Sequence, residues 1–181
     1  MFWKKRRKGS RSRASSSRIC PAVCALLLVV CGLAKGADRL KELQDHFDKE
    51  THASGKVKAL EKLGVAQFEA AGRAGGRGDY ITVGLTFEKY RDNVRATIEL
   101  LRKQDPDVDR HPGGYRQLEL QVRRGIREVE ETLLVVPPDV RPPLGLVRKD
   151  LLNMDDELIR LLFPRRTKDP QKVPSVPEEK Q

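Results

Sequence analysis

The sequence predicts an all-α protein: a small antiparallel bundle of four main helices, with a short helix ahead of them, behind an N-terminal export signal. Three observations carry this. After Ala34 the apolar residues recur at steps of three and four, the spacing that places side chains on one face of a helix. No stretch alternates apolar and polar over the length of a strand. Glycine and proline clusters separate the periodic segments, and such short punctuated links return each helix alongside the previous one.

The first element is the leader. Lys4, Lys5, Arg6, Arg7, Lys8, Arg11, Arg13 and Arg18 lie in the first eighteen positions with no acid among them, and an uncharged apolar run follows from Ile19 to Ala34. A basic start, a short apolar run and then small residues form the pattern of an export signal. Gly32 and Ala34 stand at −3 and −1 for cleavage between Ala34 and Lys35, with a cut after Gly36 as an alternative. Sixteen residues with Pro21 near the start fall short of the roughly 20 that span a bilayer. Retention as an anchor, with the basic residues on the cytoplasmic side, is the alternative to cleavage. Lipidation at Cys31 is a third, although Val30 stands where such boxes carry a small residue. Arg6-Arg7 lacks the apolar residues that follow a twin-arginine pair, so the general secretory route is expected. That places the remainder in the periplasm or outside the cell, if the source is bacterial. The domain division is 1–34 signal, 35–163 helical bundle and 164–181 tail.

This leader also changes the meaning of the charge. The whole chain carries +10, but after Ala34 there are 28 Lys and Arg against 26 Asp and Glu, which leaves about +2. A nearly balanced surface has little sequence-independent attraction for phosphate backbones, so nucleic acid is not an expected partner. Cys20, Cys24 and Cys31 all fall within the apolar run. The domain beyond it therefore has no thiol for a disulfide or a thiolate metal site.

Along the domain, Asp38 is placed to cap a first helix with the stripe Leu40, Leu43 and Phe47, and a turn is expected near 52–55. A second helix carries Val57, Leu60, Leu63, Gly64, Phe68 and Ala71, and is expected to stop at the cluster Gly72, Gly75, Gly76 and Gly78. Asp79 caps a third, with Val83, Phe87, Tyr90, Val94, Ile98 and Leu101 on one face. A loop from Asp105 to Gly114 precedes a fourth, which runs from about Tyr115 to Val136 and is ended by Pro137-Pro138. Asp139 is read as the cap of the last helix, with Pro142 and Pro143 in its first turn. The tail after Pro164 is proline-rich and charged, with too little apolar surface to fold.

Leu63-Gly64 with Phe68, followed by Gly78-Asp79-Tyr80, resembles a tetratricopeptide hairpin over 57–103. The resemblance implies partner binding along a helix face and carries no catalytic residues. Gly64 lies sixteen residues before Tyr80, about two turns more than the repeat allows, and no second copy follows near a period of 34.

Candidate chemistry is sparse. Glu42, His46 and Glu50 share a helix face, but their neighbours Lys41 and Lys49 mark a solvated surface and no later helix offers a second histidine; His111 is in a loop. The glycine stretch follows a helix and lacks a Lys-Ser or Lys-Thr ending, unlike a phosphate loop. Within it Arg77-Gly78-Asp79 matches the integrin-binding tripeptide, but Asp79 already serves as a cap. Ser54 and Ser175 are the only serines after the signal, and Asp155, Asp156 and Glu157 diverge around their helix. The reading is a non-enzymatic domain with no catalytic, cofactor or metal residues.

Function is therefore expected to reside in contact: a protein partner or self-association, with membrane contact only through the N-terminal segment. The expected surface is the seam Leu144, Val147, Leu151, Met154, Leu158 and Leu161, whose alternating steps of four and three suit helix–helix packing. A ligand or metal carrier using the bundle interior is the alternative.

Overall fold

A computed structural model describes residues 38–164. The expected signal, the expected cleavage site between Ala34 and Lys35, and the tail from 165 onward lie outside the described residues. The described residues form five α-helices, one 3-10 turn and no strand. They are α1 (38–49), α2 (Ala53–Gly75), α3 (Tyr80–Gln104), α4 (Pro112–Val135), the 3-10 turn Pro138–Val140, and α5 (Arg141–Leu162).

Each boundary has a local cause. The chain leaves α1 at Glu50, and His52 gives α2 no side-chain cap. Gln104, at the far end of α3, does that work: its Oε1 accepts from the Ala53 N–H at 2.8 Å and its Nε2 donates to the Thr51 carbonyl at 2.7 Å. One amide thus satisfies backbone groups that a helix start leaves without partners.

As expected, α2 ends within the glycine cluster: it runs through Gly72 to Gly75, with Gly76 at the capping position. Ala71 and Ala74 are buried there, and packing outweighs the roughly 1 kcal/mol that glycine costs within a helix. The chain reverses at Gly78, whose φ of 76° lies in the left-handed region open to glycine. Asp79 then caps α3 as expected, accepting from the Thr82 N–H at 3.1 Å. Those hydrogen bonds hold its carboxyl below the usual range.

Two expectations are corrected. Pro112, Gly113 and Gly114 are not loop but the first turn of α4, because proline needs no N–H donor at that position. Asp139 does not cap α5; it sits in the 3-10 turn, and Val140 occupies the capping position without a side-chain bond. Pro142 and Pro143 lie in the first turn of α5 as expected.

Helices α2 and α3 form one antiparallel hairpin, and α4 and α5 a second. The hairpins lie side by side, with α2 along α4 and α3 along α5, while α2 and α5 do not touch. Gln117 donates to Glu61 across the first seam at 3.0 Å, and Arg91 and Arg95 reach Asp150 across the second at 3.4 and 3.6 Å. Neighbours are therefore antiparallel within each hairpin and where α3 meets α4, and parallel along α2–α4 and α3–α5. Helix α1 runs beside the first hairpin, parallel to α3. Its Phe47 is buried beneath the Lys56 ammonium, 4.4 Å from the ring centroid. Its Gln44 exchanges amide hydrogen bonds of 3.3 and 3.2 Å with the buried Asn93.

At the centre, α3 meets α4 through Tyr90, which is 1% exposed. Its hydroxyl donates to the Gln121 carbonyl at 2.6 Å, and burial pushes the phenol well above its ordinary range. The ring lies between Gly64 of α2 and Gly125 of α4, and tilts against Phe68 at 4.8 Å. Each large apolar side chain fully buried in this core contributes about 1.5–3 kcal/mol before chain ordering is charged against it.

Candidate functional site

The helix directions bring the start of α1, the end of α2, the start of α3, the end of α4 and the start of α5 to one pole of the bundle. Gly75 lies 3.7 Å from Val83 for any added Cβ. Gly72, Tyr80, Thr132 and Val136 line one small cavity at this pole, of about 260 Å³.

Five of the seven large apolar side chains that stand exposed among the described residues lie toward this pole; Leu120 and Phe163 are the other two. Ile81 and Leu85 lie in the first two turns of α3, Leu134 and Val135 end α4, and Leu146 lies in the second turn of α5. All five are more than half exposed. Single exposed leucines are ordinary on a folded surface; five toward one end of a bundle, on three helices, make that end a candidate contact surface. Periodicity could not reveal them, because Ile81, Leu85, Leu134 and Leu146 sit off the core stripes and read individually as unremarkable surface positions.

Beside this pole, α1, α2 and α3 form an open cleft of about 410 Å³. Leu40 and Leu85 supply apolar walls, Thr86 lies between them, and Lys41 and Lys89 are exposed at its margin. Gln67 is the buried member of the lining, 3% exposed, and its Oε1 has no hydrogen-bond partner. An acceptor buried without a partner costs roughly 1–3 kcal/mol. Nothing in the pattern announces it, since Gln67 reads as a polar position next to Phe68.

The sequence-designated seam lies elsewhere. Leu144, Val147, Leu151, Met154 and Leu158 are all buried against the other helices, and Leu161 is half-buried. Their heptad spacing closes this bundle's own core, so the seam is not an outward face while the bundle is folded. Glu42 and His46 are exposed, and the Glu50 carboxylate turns to the His52 N–H at 2.9 Å. That hydrogen bond lowers the Glu50 pKa. Among the described residues no group of three or more His, Cys, Asp or Glu could hold a metal ion. In the Arg77-Gly78-Asp79 stretch the Asp79 side chain is occupied by its cap.

One other acidic group is unusual. Asp155 is 14% exposed at its side chain and faces Arg123 at 3.6 Å, but its Oδ1 makes no hydrogen bond. Burial raises its pKa, partly opposed by Arg123. Arg123 also pairs with Glu119, so one guanidinium divides its charge between two carboxylates. No described helix is long and apolar enough to cross a membrane. Comparison of the chain with family models, with curated proteins and with solved structures finds no match to any of them.

Proposed function

We propose that this chain is an exported, non-enzymatic contact module of the cell envelope, and that it engages a protein partner through the pole where α1 begins. The leader supports export: eight basic residues precede the uncharged run Ile19–Ala34. The observation that carries the contact reading is the exposed group Ile81, Leu85, Leu134, Val135 and Leu146 at that pole. Burying such side chains releases roughly 25 cal/mol per Å² of apolar area, the usual source of association energy between proteins.

The test is affinity capture from an envelope fraction, run beside sedimentation of the purified protein. The triple variant Ile81→Glu, Leu134→Glu, Val135→Glu changes only exposed positions, so it should fold as the native protein does. Loss in this variant of a protein captured by the native chain supports the reading. A native chain that captures nothing and sediments as a monomer refutes it.

A further inference from the structure

We infer that the cleft between α1, α2 and α3 receives an aromatic anchor bearing an N–H donor, namely a tryptophan side chain of the partner. This deepens the contact reading above and rests on it.

Three features of the cleft select that chemistry. The first is size and polarity: the open cleft of about 410 Å³, with Leu40 and Leu85 as walls, has the volume of clefts that seat small apolar groups. The second is Gln67, whose buried Oε1 lacks a donor. It is the single buried residue in a lining otherwise exposed or half-buried. Elsewhere in the bundle buried amides are matched, as in the Gln44–Asn93 exchange. A leucine at 67 would pack without the cost of an unmet acceptor. A ligand that brings one donor and no acceptor completes the site, and the indole N–H is donor only. The carboxamide turns readily about its last torsion, so a donor entering beside it can be met.

The third feature is charge. Lys41 and Lys89 stand at the margin opposite a single carboxylate, Asp45. Ammonium groups are drawn to the face of an aromatic ring, most strongly to indole. The same bundle already makes that contact where Lys56 covers Phe47. Tyrosine would bring a phenolic oxygen that itself needs a donor, and an aliphatic side chain would leave Gln67 unmet. Leu85 belongs both to this cleft and to the exposed pole, so an anchor seated here is continuous with the contact surface. Tryptophan anchors in enclosed pockets also carry a disproportionate share of interface energy.

The experiment titrates the purified protein with N-acetyltryptophanamide and with its 1-methylindole analogue, which lacks the donor. Methyl NMR signals of Leu40, Thr82, Leu85 and Thr86 report the cleft. Saturable shifts at these methyls are expected, with the 1-methyl analogue binding roughly five- to tenfold more weakly. In Gln67→Leu, checked for folding by circular dichroism, the two analogues should bind alike. No saturable shift, equal binding of both analogues to the native protein, or a difference that persists in Gln67→Leu would overturn the inference. Cleft shifts that track protein concentration without ligand, with sedimentation as a dimer, would assign the cleft to a second copy and overturn it too. Partner capture that survives without indole binding sinks the anchor alone. Indole binding with capture unchanged in the Ile81, Leu134 and Val135 variant sinks the contact reading alone.

Discussion

Tyr90 of α3 fits against Gly125 of α4 so closely that a Cβ at position 125 would lie 2.9 Å from both the ring Cζ and the hydroxyl oxygen, and closer still to Cε1. The hydroxyl spans the remaining gap to the Gln121 carbonyl, one helical turn earlier. A missing side chain on one helix therefore defines where the largest side chain of another goes.

Gly125→Ala should accordingly destabilise the protein by about 1–3 kcal/mol through overpacking, although alanine favours a helix by up to about 1 kcal/mol. Gly64→Ala, whose Cβ would come 3.1 Å from the other edge of the ring, should cost less. Denaturant melts of the single variants and of Gly125→Ala with Tyr90→Leu form a cycle. If the overlap is the cause, Tyr90→Leu makes the alanine harmless, whereas an unchanged penalty would point to some other origin.

The α5 stripe gives a prediction of a different kind. Leu151 is fully buried, so Leu151→Ala should lower stability by about 2–5 kcal/mol. At temperatures where the variant is still folded, capture of a partner should remain. Selective loss of capture by a folded, stable Leu151→Ala protein would return the seam to the status of a binding face.

Gln44 and Asn93 form a matched pair between α1 and α3. Gln44→Leu leaves the buried Asn93 amide short of a partner and should cost about 1–3 kcal/mol. Replacing both by leucine should recover much of that loss. Thermal melts of the two variants decide it, and a double variant no better than the single would show that the amides are not coupled.

Two aspartates should give pH dependences of opposite sign. The Asp79 carboxyl is held low by Thr82, so its contribution is present above the ordinary carboxylate range and disappears as pH falls through the depressed value. Asp79→Ala should therefore be less stable than native near neutrality, with the difference closing in acid. Asp155 is raised by burial; its folded form holds a proton more tightly than the unfolded chain. The native protein then loses stability as pH rises from the ordinary carboxylate range through the raised value. Asp155→Asn should flatten that segment of the profile, and stability measured at several pH values would expose either sign if wrong.

Much of this fold was legible because its causes are local. Apolar spacing gave the core faces of all the helices, and Asp79 gave the start of α3. What escaped depended on distant partners. Gln104 supplies the bonds at the start of α2 from 51 residues away, and nothing near Ala53 announces it. The need for glycine at 125 arises only from Tyr90, 35 positions away on another helix. The α5 heptads specify helix contact without specifying whose helix, which is why they could not locate a binding face. The exposed pole escaped for the converse reason: its residues come from three helices and only the parallel alignment of the hairpins collects them.

That alignment also bears on how the chain folds. The helices within α2–α3 and within α4–α5 are joined by short links, so each hairpin closes a short loop and can form early. Docking of the two is the non-local step, and it must thread the Tyr90 ring between Gly64 and Gly125. Overpacking that gap should therefore slow the joining of preformed halves more than it slows either half. Each hairpin would stay an autonomous folding unit, and Tyr90 would be the latch that makes them one cooperative body.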